Sequence, residues 1–169
     1  MTGVRPQRHS IWIWLCLACA ASLTTAKPAS ADATAFLGLA SAPEARRVTG
    51  LAVGSGLLVV GFEFEYAQTQ EQLEDAAPGV RTFMGNLLVQ TPVPVHGIQF
   101  YGTIGAGLYR ESLGESQTET NLGTNVGGGA KVTLAGPLRL RLDYRAFLLR
   151  GAPLHDQFHR FYAGLNLAF

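Results

Sequence analysis

Alternation of apolar and polar residues at every second position is the feature that most constrains the fold of this 169-residue chain. It is clearest in "PLRLRLDYRAFLLR". One face of this segment carries Leu138, Leu140, Leu142, Tyr144, Ala146 and Leu148, and the other carries Arg139, Arg141, Asp143, Arg145, Phe147 and Leu149. Successive side chains of a β-strand point to opposite faces, so a period of two predicts a strand with one apolar and one charged face.

The same alternation recurs along the chain and predicts strands throughout, with no convincing helix. In "VVGFEFEYA", Phe62, Phe64 and Tyr66 stand opposite Glu63 and Glu65. Polar connections alternate with short or proline-containing ones, which predicts longer loops at one end of the sheet and tight turns at the other. Turn-forming residues between the runs delimit eight strands, at roughly 33–41, 47–55, 57–67, 80–91, 97–110, 120–134, 137–150 and 157–169.

The N-terminal 31 residues have the three-part layout of a secretory signal peptide. "MTGVRPQRHS" carries positive charge without an acid, "IWIWLCLACAASL" is an apolar run, and "PASA" ends on a small-x-small site at Ala31. A membrane-spanning helix needs about 20 apolar residues, which is more than this run supplies. We therefore expect residues 1–31 to be a cleaved leader and residues 32–169 to form one domain.

Removal of the leader changes the composition of the chain. Both cysteines, Cys16 and Cys19, lie within the leader, so the mature chain is expected to carry no disulfide, reactive thiol or cysteine metal site. Three of the 13 basic residues are also removed, which leaves 10 basic against 12 acidic residues and a net charge of −2. A chain with this charge and no basic patch is not expected to bind nucleic acid.

The alternating strands fit two architectures that differ in which face meets water. A soluble sandwich buries its apolar faces, whereas a membrane barrel turns them to lipid. The alternating apolar residues before an aromatic C-terminus favour the membrane, because a soluble domain would leave such a tail frayed. Open sheet edges are too costly in hydrocarbon. The sequence therefore predicts an all-β fold, a single eight-stranded antiparallel up-and-down transmembrane β-barrel.

Several segments resemble the small OmpA- and OmpX-type outer-membrane barrels of Gram-negative bacteria: "YGTIGAGLY", "NVGGGAKV", "RLRLDYRAF" and "FYAGLNLAF". The resemblance spans the mature chain and implies an outer-membrane location, a monomer, and lipid and lipopolysaccharide as surroundings. It also implies that periplasmic chaperones and the outer-membrane assembly machinery handle the chain. The machinery would read the lipid-facing side of the last strand, which consists of Phe161, Ala163, Leu165, Leu167 and Phe169.

The charged strand faces are expected to point into the barrel. Eight strands enclose an interior just wide enough for side chains to fill. Isolated charges there would be too costly, so they should pair. We expect a plugged interior and a structural or surface-interaction role, with glycines making room for the larger side chains. The predicted network joins two glutamates to three arginines, with an aspartate between them: Glu63, Glu65, Arg139, Arg141, Asp143 and Arg145.

No catalytic, cofactor-binding or metal site is expected. The glycines of "GTIGAG" lack the dinucleotide-binding spacing. The three histidines that remain after cleavage, His96, His155 and His159, form no ligand pair. Two alternatives stay open: a barrel enzyme that modifies lipid, such as a lipid A deacylase, and a soluble secreted barrel that binds a small apolar ligand. The mature chain contains no His-x-Ser pair for the first alternative.

Acidic residues are concentrated in two predicted outward loops. Carboxylates at that position can share divalent cations with lipopolysaccharide phosphates. A solvated loop explains the same residues without a ligand. The residues concerned are Glu71, Glu74, Asp75, Glu111, Glu115 and Glu119.

Overall fold

The computed structural model describes residues 30–41, 44–73, 77–114 and 117–169, and these form a closed antiparallel barrel of eight strands. Each strand pairs with the next, and the last pairs with the first, which confirms the predicted fold. The strands are β1 (Ser30–Ser41), β2 (Ala45–Leu57), β3 (Val60–Thr69), β4 (Gly79–Gln90), β5 (Ile98–Leu113), β6 (Gln117–Ala135), β7 (Leu138–Leu149) and β8 (Gln157–Ala168).

The barrel closes where β1 meets β8. The register runs from the pair of Asp32 and Ala168 to the pair of Ser41 and His159. Beyond the last ladder residue, the amide of Phe169 still donates to the carbonyl of Ala31 at 2.8 Å. In the uncleaved chain these bonds tie the C-terminus to β1, and the ladder that begins at Asp32 and Ala168 does not depend on residues 1–31. Most of the predicted leader lies outside the described residues; its last two residues are described and belong to β1.

The hairpin of β5 and β6 is longer than the sequence predicted. Pairing continues outward from Arg110 and Thr120 to Leu113 and Gln117, through a stretch that was predicted to be a polar loop. Polar residues adopt strand structure here because the ladder continues to satisfy their backbone groups. The two ends of the barrel differ less in loop length than predicted, since the connection 91–97 is as long as the connection 150–156 at the opposite end, although 70–78 at that end is longer than either.

The connection between β4 and β5 contains a miniature hairpin. Val95 and Ile98 exchange both backbone hydrogen bonds, at 2.8 and 3.0 Å, around His96 and Gly97. Both of these central residues have positive φ, 53° and 80°. Two successive positive φ values match the twist of the flanking strands, and glycine adopts such a conformation without strain.

Side-chain orientation follows the predicted alternation. In β3, Phe62 and Phe64 are 65% and 60% exposed, whereas Glu63 and Glu65 are 3% and 0% exposed. In β7 the leucine face is outward and the charged face is buried. The apolar side chains that a water-soluble protein would bury thus cover the outside of this barrel. Among the described residues there is no helix long and apolar enough to cross a membrane.

The outward faces of β6 and β7 supply a test of membrane depth. Leu142, 47% exposed, lies in the middle of the barrel wall, and Leu134 lies outward near the β6–β7 turn. An arginine costs about 2–4 kcal/mol on the lipid face at the bilayer midplane and about 0–1 kcal/mol near the interface. We expect Leu142→Arg to lower the free energy of unfolding in lipid vesicles by that larger amount and Leu134→Arg by the smaller one. Equal losses in urea titrations would contradict the lipid-facing assignment.

Candidate functional site

The candidate site is a cluster of charged side chains in the barrel interior. At its centre, Glu63 of β3 accepts from two arginines of β7. Its Oε1 accepts a hydrogen bond from Nη2 of Arg145 at 2.8 Å, and its Oε2 forms an ion pair with Nη1 of Arg141. All three side chains are almost completely inaccessible to water. Ion pairs in such surroundings persist only when their geometry is good and further hydrogen bonds satisfy the remaining atoms.

Asp143 supplies a second carboxylate between the same two arginines. Its Oδ2 lies 2.9 Å from Nη2 of Arg141, and its Oδ1 lies 2.9 Å from Nε of Arg145. The three residues occupy alternate positions of one strand, so they point to the same side of the sheet. Asp143 thus screens two like charges that would otherwise repel each other.

Glu65 continues the network towards β8. Its Oε2 lies 3.1 Å from Nη1 of Arg145, and its Oε1 lies 2.8 Å from Nη1 of Arg160. Arg160 also donates to Oγ1 of Thr82 at 3.1 Å. Three carboxylates and three guanidinium groups are therefore linked in one chain of contacts, and their formal charges cancel.

Two tyrosine hydroxyls bridge the ions. The Tyr101 hydroxyl accepts from Nε of Arg141 at 2.7 Å and donates to Asp143. The Tyr162 hydroxyl accepts from Nη2 of Arg145 at 3.1 Å and donates to Oε2 of Glu65 at 3.3 Å. Each hydroxyl thus joins one arginine to one carboxylate. These bridges satisfy most of the buried groups, although Nε of Arg160 and Oδ1 of Asn125 have no hydrogen-bond partner among the described residues.

Asparagines extend the network across the barrel. Nδ2 of Asn86 donates to Oε1 of Glu63 at 3.3 Å, and Nδ2 of Asn125 donates to Oδ1 of Asn86 at 2.9 Å. Between them on β5 stands Gly105, where a Cβ atom would overlap the side-chain oxygen of Asn86. At Gly129 a Cβ atom would meet the ring of Tyr101. Glycine at these inward positions leaves space that the polar side chains occupy.

Arg139 was predicted to belong to this network and lies outside it. In the described part of the chain it makes no ion pair, and its Nη1 is 3.5 Å from Oε1 of Gln99. The reason is depth: Arg139 follows directly after the first residue of β7, so it sits near the β6–β7 turn rather than at mid-barrel. It borders a polar cavity of about 270 Å³, whose wall also includes Glu63 and the ion pair of Asp32 and Lys131.

Arg160 and both tyrosines were not predicted to take part. The sequence pattern contained the signal for all three, because Arg160 and Tyr162 alternate with the apolar residues of β8, and Tyr101 has the parity of the inward glycines of β5. The apolar residues themselves face outward. Phe161, Leu165, Leu167 and Phe169 are exposed and Ala163 is half-buried, all on the side assigned to lipid.

Two of the predicted loop carboxylates are instead part of the barrel. Glu111 of β5 and Glu119 of β6 stand directly opposite each other and face inward at the outer end. Glu111 accepts from the amide of Leu154 at 2.9 Å, and Glu119 accepts from the amide of Ala152 at 2.7 Å. They hold the connection between β7 and β8. Of the remaining predicted acids, Glu71 is described, and the three others lie outside the described residues: Glu74, Asp75 and Glu115.

The chain belongs to the family defined by the outer membrane protein beta-barrel domain, which matches residues 16–169. This membership confirms the resemblance that the sequence indicated. Together with the barrel and its apolar outer surface, it identifies an integral protein of the bacterial outer membrane. No curated protein sequence matches the chain.

Solved barrels of similar architecture include one outer membrane enzyme and two barrels that are not described as enzymes. Neisserial surface protein A, NspA, aligns with a TM-score of 0.69 at 16% identity, covering 85% of this chain and 99% of its own. The N-terminal barrel domain of Pseudomonas aeruginosa OprF aligns with 0.63 at 14% identity, covering 83% and 97%. The outer membrane enzyme PagL aligns with 0.51 at 15% identity, covering 80% and 98%. These identities establish a shared fold only.

The ion network supplies a test of its own contribution to stability. Replacing Glu63 by alanine leaves Arg141 and Arg145, which are both 0% exposed, with one carboxylate fewer. Breaking a buried pair from one side costs about 3–5 kcal/mol. We expect Glu63→Ala to lower the unfolding free energy in detergent micelles by that amount.

The matched control for this measurement is Arg139→Ala, which removes a charge from the interior outside the network. We expect this variant to lose much less stability than Glu63→Ala in the same urea titration. A loss as large for Arg139→Ala as for Glu63→Ala would mean that the network is not the source of the effect.

Proposed function

We propose that the protein is a non-conducting, non-enzymatic monomeric barrel with a structural or surface-interaction role in the outer membrane. The observation that carries the proposal is the buried network of charged residues across the interior. Arg141, Arg145 and Arg160 are each 0% exposed, so the largest buried side chains of the interior have no contact with water.

The position of the network supports an interior that is closed by side chains rather than an open channel lined by them. The cavity at the end of the β2–β3 and β6–β7 turns reaches inward to Glu63, which is bound to Arg141 and Arg145. Eight strands leave little space beyond what side chains fill. An ion that moved past this level would have to separate buried ion pairs. We infer that the interior braces opposite walls of the barrel and passes no solute.

The outward histidine of β8 offers no support for a lipid-cleaving site. His159 lies beside Tyr144, with Nδ1 and the tyrosine hydroxyl 2.9 Å apart. An acyl-transfer site needs a nucleophile such as serine within hydrogen-bond reach of the base. Among the described residues, the hydrogen-bond partner of His159 is a tyrosine instead. This supports the non-enzymatic role over the alternative of a lipid A deacylase.

Electrical recording tests the plug directly. We expect the purified wild-type protein to produce no stable channels in planar lipid bilayers, because ion pairs block the interior. Arg139→Ala, which alters a charge outside the network, should be equally silent. Stable channels of porin size in the wild type would contradict the proposal and would assign the protein to passive diffusion.

We also propose that the leader exports the chain, with cleavage after Ala31, and that the lipid-facing side of β8 is the signal for assembly. Support comes from Phe169, which is 74% exposed at the end of the closing strand. Phe169→Asp is expected to keep the protein out of the outer membrane, as read from cell fractions and from loss of heat-modifiable migration. The intact mass of the wild-type protein from the membrane fraction measures the cleavage site.

Phe100→Asp is the matched control for the assembly signal. Phe100 is 54% exposed on the outward face of β5, towards the same end of the barrel, but it is not terminal. The Phe100→Asp variant places the same charge on the lipid-facing surface without changing the last strand. We expect Phe100→Asp to assemble at a reduced level. Equal exclusion of both variants would show that charge on the lipid face, not a terminal signal, blocks assembly.

A further inference from the structure

On the described strands and directly after β7, the outward arginines lie near one end of the barrel. Arg47 on β2, Arg81 on β4 and Arg110 on β5 are exposed between buried neighbours, and the exposed Arg150 follows the buried Leu149 at the end of β7, so these side chains point away from the interior. In the described parts of the strands, no acidic side chain points outward. This end carries the longest connection between strands, residues 70–78, and outer-membrane barrels turn their longer loops to the cell exterior, so we take it as the exterior end.

Two of these arginines stand side by side. Arg81 and Arg110 are direct partners in the register of β4 and β5. Gln68 is the partner of Arg81 on β3, and Thr120 is the partner of Arg110 on β6, so polar side chains flank the pair. Like charges directly opposite each other on a sheet are destabilising. Within the described residues neither guanidinium group has an acidic partner, and an external anion would relieve their repulsion.

The pair lies at the upper edge of the lipid-facing surface. The next outward residues towards the membrane are Phe83 and Leu108, which are also direct partners and are 57% and 52% exposed. An anion held by Arg81 and Arg110 would therefore belong to a molecule whose remainder lies against apolar surface. Guanidinium groups suit phosphate, because their fork of donors matches its oxygens.

A furrow of about 900 Å³ runs over the outer surface below the pair. Its floor is formed by small outward residues on neighbouring strands, among them Gly85, Ala106 and Thr124, which are partners in register. This row is four residues from Arg81, Arg110 and Thr120, or about 13 Å along the strands. The furrow walls are apolar and include Phe64, Leu87, Ile104, Val126 and Leu148.

We propose that this surface binds lipopolysaccharide of the outer leaflet, with a lipid A phosphate between Arg81 and Arg110 and an acyl chain in the furrow. The ligand must carry an anionic head and an apolar tail, and the positive charge of the paired Arg81 and Arg110 is complementary to that head. The periplasmic rim has no outward arginine in the described strands, so the surface selects the leaflet in which lipopolysaccharide resides. The site is separate from the interior plug.

Binding of fluorescently labelled lipopolysaccharide to the folded protein in detergent micelles tests the phosphate contact. The loss of a charge-assisted hydrogen bond weakens binding by roughly tenfold or more. We expect that loss for Arg81→Gln/Arg110→Gln. The control Arg47→Gln/Arg139→Gln removes the same charge away from the furrow and should bind as the wild type does. Equal affinities for both double variants would overturn the proposal.

A second pair of variants tests the furrow. Ala106→Phe fills its floor, whereas Ala35→Phe adds the same ring to the exposed face of β1 outside it. Both changes face lipid, so both variants should fold, as read from heat-modifiable migration. We expect weaker binding for Ala106→Phe alone. Equal binding by both folded variants would overturn the assignment of the acyl chain.

Competing lipids distinguish the source of the phosphate. Unlabelled diphosphoryl lipid A should displace the labelled ligand, and fully dephosphorylated lipid A should compete at least about tenfold less well, as expected when a charge-assisted contact is lost. Phosphatidylglycerol carries phosphate and acyl chains on a different head group. Competition by phosphatidylglycerol as strong as that of lipid A would overturn the assignment to lipopolysaccharide.

Discussion

Closure of the sheet is the constraint on which the other features of this barrel depend. Backbone groups at an open edge have no partner in hydrocarbon, so β1 must pair with β8. Closing eight strands fixes the width of the interior at a value that side chains fill. Because the outward faces must be apolar, the polar groups of the wall have to be accommodated inside. Charge pairing and inward glycines such as Gly105 and Gly129 are consequences of that limited space.

The sequence predicted which side chains point inward, because alternate residues of a strand must face either lipid or the interior. Once the leucines of β7 are assigned to lipid, Arg141, Asp143 and Arg145 must point inward, and the structure has them there. The alternation does not say how far along the barrel axis a residue lies. Arg139 shares the face of Arg141 but lies near a turn, so the same pattern that placed it inside could not exclude it from the network.

Other differences arise from tertiary context. Arg160 and Tyr162 were overlooked because β8 was interpreted through its apolar residues, although its opposite face follows from the same alternation. The polar residues of the β5–β6 hairpin are typical of a loop by composition, but the ladder between Arg110 and Thr120 extends outward through them. Contacts between strands far apart in sequence depend on register around the whole barrel, and local patterns do not determine that register.

The sequence separation of the ion pairs limits the order in which the barrel can enter a membrane. Glu63 is 78 residues from Arg141, and Glu65 is 95 residues from Arg160. Before closure, β3 carries two uncompensated negative charges and β7 a net positive charge, and either strand alone would bring that charge into hydrocarbon at a cost of several kcal/mol. Stepwise insertion of single hairpins is therefore disfavoured. The strands cross most easily together, when neutralisation and closure occur in the same event.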